Sequence, residues 1–261
     1  MTAPAVYSGV TALPDVLEES AVDTRRFGRS IGRLVIAVGA VVEPAAIAQR
    51  FAESDLDTLV VRYPAQHTSW FAALSTEVVR PLHADNLIYF AGVTEPLPQQ
   101  VDEPGLADAS ALDSGVLARL TREIFADYPN HYTANPFIDA GRVTAGYEEW
   151  VDRHLRAVGQ DVIVLGDAGE LTGLAALTID DNVSVDLAGV APSRRGRGLY
   201  ETLLRIVSDR GFGSGAASVT ISTQTHNTAP MRTWVTLGWK PVVTLETVHL
   251  IRRDEFGETP R

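Results

Sequence analysis

The chain of 261 residues contains no cysteine. Disulfides, thiolate metal sites and a cysteine nucleophile are therefore excluded. Lysine is almost absent as well, since Lys240 is the single lysine among 22 basic residues, and a lysine Schiff base could form only there. No apolar run approaches the roughly 20 residues of a membrane-spanning helix, and no basic segment followed by an apolar one opens the chain. We therefore expect a cytoplasmic protein without a membrane partner.

Basic residues are outnumbered, because 33 acids face 22 bases and the formal net charge is −11. This balance argues against a nucleic-acid partner or an anionic membrane surface. No cluster of His, Asp and Glu has metal-ligand spacing, so we expect no metal. Hydrophobic residues make up 45% of the chain and charged residues 21%, which is typical of a soluble globular protein.

Apolar runs rich in β-branched residues predict strands, and striped or proline-led segments predict helices. The predicted strands are Leu34–Val42, Asp57–Val61, Leu87–Val93, Asp161–Leu165, Leu171–Ile179, Val183–Val190, Ser218–Thr223 and Val242–Ile251. The predicted helices are Pro44–Ser54, Gly115–Phe125, Val143–Val158, Gly198–Arg210 and Pro230–Leu237. Strands and helices mix and hairpins dominate the middle of the chain, which predicts an α/β fold with a mixed sheet.

Thr94–Ser114 has three prolines, many acids and no periodicity, as a linker has. We therefore predict a small α/β domain over residues 1–98, a linker over 99–114 and a second domain over 115–261.

The chemistry concentrates in Val185–Leu204, where an apolar strand ends and a loop leads directly into an amphipathic helix. The loop carries the arginines Arg194, Arg195 and Arg197, together with Gly196 and Gly198. A helix start exposes unpaired N–H groups that favour an anion, and glycines let the backbone approach closely. The pattern is neither a Walker loop nor a dinucleotide fingerprint. It predicts a phosphate or pyrophosphate site.

Val190–Tyr200 has the pattern V-x-P-x-x-R-G-x-G-x-x, which resembles the acyl-CoA signature of the GNAT superfamily of N-acetyltransferases. A second block, Gln224–Asn227 followed by Trp234 and Leu237–Trp239, is similar to the later motif of that family. The resemblance covers roughly Val116–Arg252. It implies a GNAT fold, with a mixed and mostly antiparallel sheet flanked by helices, and a reaction in which an amine attacks a thioester directly.

A narrower resemblance joins the chain to TDP-fucosamine acetyltransferase and its relatives. Asp23–Leu34 (DTRRFGRSIGRL), His131–Pro136, Tyr147–Trp150 and Glu246–Leu250 are similar to segments of that group. The group carries a small α/β domain ahead of the GNAT core. The resemblance implies a nucleotide-linked amino sugar as the acceptor, with His131, Tyr132, Asn135 and His249 as candidate acceptor-binding residues.

The superfamily resemblance also implies how an acetyl-CoA or other acyl-CoA donor binds. Backbone groups of Ala188 and Val190 would pair with the pantetheine amides, and Asn227 would contact the pantetheine arm. The pyrophosphate would be held by N–H groups of the loop and helix start. These belong to Arg195, Gly196, Arg197, Gly198, Leu199 and Tyr200.

Two positions depart from the family. Tyr200 stands where the family has glycine or alanine, so its side chain must turn away or it narrows the pyrophosphate site. Trp234 stands where the family has a tyrosine that protonates the leaving thiolate, and an indole N–H only donates hydrogen bonds. Trp234 would then pack against the thioester or donate one hydrogen bond, and Tyr200 becomes a candidate proton donor.

Two further residues are candidates for proton transfer. Asp186 precedes Ala188 by two residues, which predicts that both side chains share a face of the strand. His226 lies beside Asn227, just past the next strand, and an imidazole suits either proton role near neutral pH.

Other functions stay open at this point. The acyl group could arrive on the phosphopantetheine of an acyl carrier protein, which would meet the loop arginines, or the fold could bind acyl-CoA without catalysis. The acyl group, the amine and the oligomeric state, a homodimer included, are not set by the sequence.

Overall fold

The computed structural model describes residues 7–97, 105–167 and 170–257, and seven α-helices and nine strands lie within these ranges. The helices are α1 (Ala21–Phe27), α2 (Pro44–Ala52), α3 (Trp70–Ala73), α4 (Ser114–Phe125), α5 (Val143–His154), α6 (Leu199–Ser214) and α7 (Thr228–Thr236). The strands are β1 (Ile31–Val35), β2 (Thr58–Pro64), β3 (Val79–Val93), β4 (Leu106–Ala107), β5 (Gln160–Asp167), β6 (Glu170–Ile179), β7 (Val183–Val190), β8 (Ser218–Gln224) and β9 (Lys240–Arg252). None of these helices combines the length and the apolarity needed to cross a membrane.

The mixed α/β architecture is confirmed, and β7 has the bounds predicted from its apolar run. Local chemistry explains the helix ends. Pro44 stands in the first turn of α2, where the missing N–H costs nothing, and the Asp113 side chain accepts the Gly115 N–H at 2.8 Å to cap α4. The strand predicted at Leu34–Val42 has the wrong bounds, because β1 covers Ile31–Val35 and the chain then turns through Gly39 at a φ of 80°.

The predicted linker is structured where the model describes it. Residues 99–104 of that segment lie outside the described residues. Before them, the Thr94 hydroxyl donates to the Ala216 carbonyl and the Glu95 N–H donates to the Ser208 hydroxyl of α6. After them, β4 pairs antiparallel with β5. These flanks are therefore packed against the same unit of the fold rather than bridging open space.

Contacts between residues divide the chain into two units. Unit 1 contains Tyr89–Tyr128 and Val143–Val242, and unit 2 contains Tyr7–Ile88, Pro129–Arg142 and the described part of Val243–Arg261. The segments of the two units alternate along the sequence. The boundaries predicted above describe continuous stretches of chain and stay a prediction.

Unit 2 has the strand order β1-β2-β9-β3, with β1 parallel and β9 antiparallel to β2. Its apolar core is formed by α2 and one face of these strands, including Ile47, Phe51, Leu59 and Leu250. The strand β9, near the end of the chain, therefore completes a sheet that begins near its start.

Unit 1 has the strand order β8-β7-β6-β5-β4. The pairs β4–β5, β5–β6 and β6–β7 are antiparallel, whereas β7 and β8 are parallel. Helices α4 and α5 pack on one face through Leu117, Leu120, Ile124 and Val151, and α6 packs against β5, β6 and β7 from the other face. Gly189 permits this packing, since a Cβ there would lie 2.3 Å from the Ile124 side chain.

A buried carboxylate ties three segments of unit 2 together. Asp23 of α1 is fully buried and accepts hydrogen bonds from the Arg33 guanidinium of β1 and from the Ser20 hydroxyl. Arg33 also donates to the Tyr132 hydroxyl, 99 residues away in sequence. Burial raises the pKa of Asp23, but the charge and hydrogen bonds of Arg33 outweigh it, and the net pKa is lowered.

Replacing Asp23 with asparagine should destabilise the protein by about 3 kcal/mol at neutral pH, because the Arg33 charge loses its buried partner. The pKa of Asp23 is lower in the folded protein than its value of about 3.9 in the unfolded chain, so the ionised carboxylate stabilises the fold at pH values above about 3.9. This stabilisation is lost as the pH falls through the pKa of the folded state. The gap between wild type and Asp23→Asn should therefore close in acid. Urea unfolding at several pH values measures it, with the exposed Glu77→Gln as control. A gap that persists unchanged in acid would contradict this.

Candidate active site

The strands β7 and β8 pair at their beginnings and then separate. Val183, Ser184 and Val185 of β7 pair with residues 219–221 of β8, and the ladder ends there. The second half of β7 therefore has a partner on the β6 side only. The separation opens a slot between two parallel strands, and a slot of this kind admits an extended chain.

A β-bulge lies where the two strands separate. The pairing of β6 with β7 shifts between Ala176 and Leu177, which leaves Asp186 without a partner. The alternation that placed Asp186 on the face of Ala188 does not hold, because the bulge reverses the phase of the strand. The Asp186 carboxylate accepts a hydrogen bond from Thr178, on the face that packs against α4 and α5.

The free edge of β7 offers backbone groups to the slot. The N–H of Ala191 donates to the Thr172 carbonyl, beside β6. Because N–H and C=O groups alternate between the two edges of a strand, those of Ala188 and Val190 point away from β6. The Val190 carbonyl on this edge accepts a hydrogen bond from Arg195 Nε at 3.1 Å. The groups of Ala188 and the Val190 N–H remain available for an extended ligand.

The loop after β7 ends in a helix start without a side-chain cap. Gly198 precedes α6 with a φ of 77° and Gly196 has a φ of 75°, backbone conformations that favour glycine. The N–H groups of the first turn, including Leu199 and Tyr200, have no acceptor within the helix. The α6 start therefore has the exposed N–H groups that suit an anion, and the phosphate site stays a prediction.

The arginines of this loop differ in what they contact. The Arg195 side chain donates to the carbonyls of Val190 and Ile124, and its own N–H donates to the Pro192 carbonyl. Arg194 forms an ion pair with Glu170, and Arg197 is exposed. Arg195 therefore holds the loop in shape, and the N–H groups for an anion begin after it.

Tyr200 and Trp234 form one hydrogen-bonded pair. The Trp234 Nε1–H donates to the Tyr200 hydroxyl oxygen at 3.2 Å. Trp234 of α7 is only 1% exposed and packs against the Phe90 ring, with centroids 5.1 Å apart. Tyr200 lies in the helix that follows β7 and Trp234 in the helix that follows β8, so the pair joins α6 to α7. Burial raises the pKa of Tyr200, while the bond from Trp234 acts to lower it.

A chain of hydroxyl and amide groups lies at the end of β8. Tyr128, past the end of α4, donates to the Gln224 side-chain oxygen, and its own oxygen lies 3.0 Å from the Thr223 hydroxyl. The Asn227 amide donates to the same Thr223 oxygen at 2.9 Å. His226 is exposed in the turn between β8 and α7. Tyr128 lies in no recognisable sequence motif, and an aromatic residue after a helix is common in packing.

The residues predicted to bind the acceptor lie close together and buried in unit 2. The Asn135 amide donates to His249 Nδ1 at 3.3 Å, and His249 Nε2 lies 2.9 Å from His131 Nδ1. This order of bonds requires a proton on His249 Nε2 and two neutral rings. Burial and the charge of Arg62 lower the pKa of His249 to about 3, and burial lowers that of His131 as well. With Tyr132 bonded to Arg33, these side chains satisfy one another.

Comparison with known proteins agrees with this geometry. The model of the acetyltransferase (GNAT) family matches residues 118–239, slightly less than half of the chain. That segment contains the bulge, the slot, the α6 start and Trp234. Comparison with curated proteins finds no match.

Solved structures show the same fold. A GCN5-related N-acetyltransferase from Sphaerobacter thermophilus aligns with a TM-score of 0.51 and 19% identity, over 77% of this chain and 61% of that one. One from Kribbella flavida aligns with a TM-score of 0.50 and 14% identity, over 86% and 81%. A Drosophila protein aligns with a TM-score of 0.53 and 15% identity, over 87% and 76%.

The buried histidine pair should make stability depend on pH. A folded pKa below the unfolded value of about 6.5 means that protonation favours the unfolded chain, so stability is complete above that pH and falls below it. The loss should approach about 1.4 kcal/mol per pH unit for each histidine. Urea unfolding between pH 7.5 and pH 5 measures this slope.

His249→Gln should flatten the slope, whereas Tyr132→Phe should keep it, because no group that titrates in this range is removed. Equal slopes in wild type and His249→Gln would show that the pair does not cause it.

Proposed function

We propose that this enzyme, which carries a GNAT acetyltransferase domain over residues 118–239, moves an acetyl or other short acyl group from a CoA thioester to the amine of a small molecule. The separation of β7 from β8 ahead of the uncapped α6 start carries this proposal. The pantetheine amides would extend along Ala188 and Val190 as an added strand, with the pyrophosphate at the N–H groups of Gly196 through Tyr200. Asn227, at the end of β8, would contact the pantetheine arm.

The reaction joins the amine nitrogen to the thioester carbonyl carbon and breaks the carbon–sulfur bond. N–H groups of the free β7 edge would stabilise the oxyanion that forms in between. The nitrogen must lose a proton and the departing thiolate must gain one. The exposed His226, at the end of the slot beside Asn227, is our candidate for the first step.

We propose that Tyr200 donates the proton that the departing thiolate gains. The Trp234 N–H already donates to the Tyr200 oxygen, so the phenolic proton is left for another acceptor. Burial raises the pKa of Tyr200, and the bond that Trp234 donates to its oxygen offsets part of this by stabilising the phenolate that forms when the proton leaves. Trp234 itself would position the phenol.

For the acceptor we propose a nucleotide-linked amino sugar. The support is the resemblance over Asp23–Leu34 and His131–Pro136. In unit 2 these segments meet through Arg33 and Tyr132. His131, Tyr132, Asn135 and His249 would shape the acceptor site through their mutual bonds.

A second donor is favoured by one observation. Arg197 is exposed in the loop that leads into α6. An acyl carrier protein presents a phosphopantetheine without the adenosine and pyrophosphate, and its acidic surface would meet this arginine.

The purified protein should release free CoA thiol when acetyl-CoA and a TDP-linked amino sugar are combined, and less with simple amines. Acyl-CoA and acyl carrier protein are compared in the same assay. Faster turnover with acyl carrier protein than with acyl-CoA would show that the carrier protein is the donor. If calorimetry shows CoA binding but no amine is acylated, the protein is a non-catalytic binding module.

Tyr200→Phe should lower kcat by about 100-fold, because general acid catalysis contributes on the order of that factor or more, while the KM for acyl-CoA stays within about threefold. Trp234→Phe, which removes the indole N–H and keeps the ring, should have a smaller effect on kcat. An unchanged kcat in Tyr200→Phe would remove Tyr200 from the mechanism.

A further inference from the structure

Asp186 of unit 1 lies where two features of β7 coincide. It is the bulged residue of β7, without a partner on β6, and it is also the first residue of β7 beyond the end of the ladder with β8. Neither ladder therefore includes Asp186 as a paired residue. Its side chain makes contacts that do not depend on either ladder.

Three donors from three elements converge on the Asp186 carboxylate. His154 Nε2 of α5 lies 2.8 Å from Oδ2, and the Thr178 hydroxyl of β6 donates to the same oxygen at 2.6 Å. The Ser184 hydroxyl of β7 donates to Oδ1 at 2.9 Å. The carboxylate thus links the bulge to α5, to β6 and to the strand before it.

The second nitrogen of His154 determines where the proton lies. His154 Nδ1 is 2.8 Å from the Trp150 carbonyl oxygen, which can only accept, so Nδ1 carries a proton. With a neutral ring, the lone pair of Nε2 would face the Asp186 carboxylate. Two acceptors at 2.8 Å repel one another unless a proton lies between them. His154 is only 1% exposed, so water cannot separate the two groups.

We infer that His154 and Asp186 hold one shared proton and act as positioning residues that fix the β7 bulge at the mouth of the donor slot. This inference rests on the proposed acyl-CoA donor only for its effect on activity. Both oxygens of the Asp186 carboxylate are already engaged by groups of the protein, and we therefore assign Asp186 to positioning rather than to proton abstraction from the amine.

The bulge matters because it sets the phase of the rest of β7. Without it, residues 187–190 would shift by one place, and each would exchange faces and edges. The N–H and C=O groups of Ala188 and Val190 would then face β6 instead of the slot. Gly189, which fits against Ile124 only because it lacks a Cβ, would be replaced there by a larger residue.

Two substitutions separate the roles of Asp186. Asp186→Ala removes all three bonds and should raise the KM for acyl-CoA by about tenfold or more, because misplaced binding groups weaken catalysis and binding strongly. Asp186→Asn should rescue most of this, to within about threefold of wild type, since its amide N–H can donate to the lone pair of a neutral His154. A collapse of kcat in Asp186→Asn at an unchanged KM would overturn the inference and make Asp186 the base.

Nitrogen NMR of the full-length protein tests the proton without any assay of activity. In wild type at pH 7, both ring nitrogens of His154 should carry protons, whereas in Asp186→Asn only Nδ1 should. An unprotonated Nε2 in wild type would overturn the inference. If the protein neither binds CoA nor transfers acyl groups, the proposed function fails, and the NMR result still decides whether the pair holds its proton.

Discussion

The architecture of the site depends on one constraint, which is that β7 must leave β8 while staying paired with β6. Parallel strands with full ladders leave no backbone group for a ligand. Here the ladder stops after three pairs, and a bulge turns the phase of the remaining residues. The free edge of Ala188 and Val190, and the loop that follows them, exist only because of this break.

The arginines of the loop after β7 contribute mainly to the shape of that loop. The acidic chain places three arginines in one loop, which suggests at first a cationic surface for phosphates. In the structure, Arg195 binds two carbonyls at the ends of β7 and α4, and Arg194 pairs with Glu170. Most of this charge is therefore used to shape the loop. The proposed anion site is therefore made mainly of backbone N–H groups, in a loop whose glycines Gly196 and Gly198 have positive φ values.

The elements themselves could be predicted from the sequence, because the strand run at Val183–Val190 and the apolar stripe of α4 are local patterns. The face of β7 on which Asp186 lies could not be predicted, because an alternation of two residues does not reveal a bulge, and the Asp186 side chain contacts a histidine 32 residues earlier in the chain. The way in which segments of the chain alternate between the two units could not be predicted either, because β9 near the end of the chain pairs with β2 near its start. Contacts between distant segments decide these features.

Tyr200 and Trp234 show why single positions mislead. Taken alone, each is a departure from a family pattern, one too large for its place and the other without acid–base chemistry. In the structure the two side chains contact each other. Tyr200 of α6 provides the phenol, and Trp234 of α7 donates the hydrogen bond that orients its hydroxyl. A hydroxyl at this place needs a donor to hold its oxygen and a buried surface to hold its ring. Trp234, enclosed against Phe90, provides the donor from a fixed position. The two departures are therefore one arrangement, in which the proposed proton donor and the group that orients its hydroxyl contact each other.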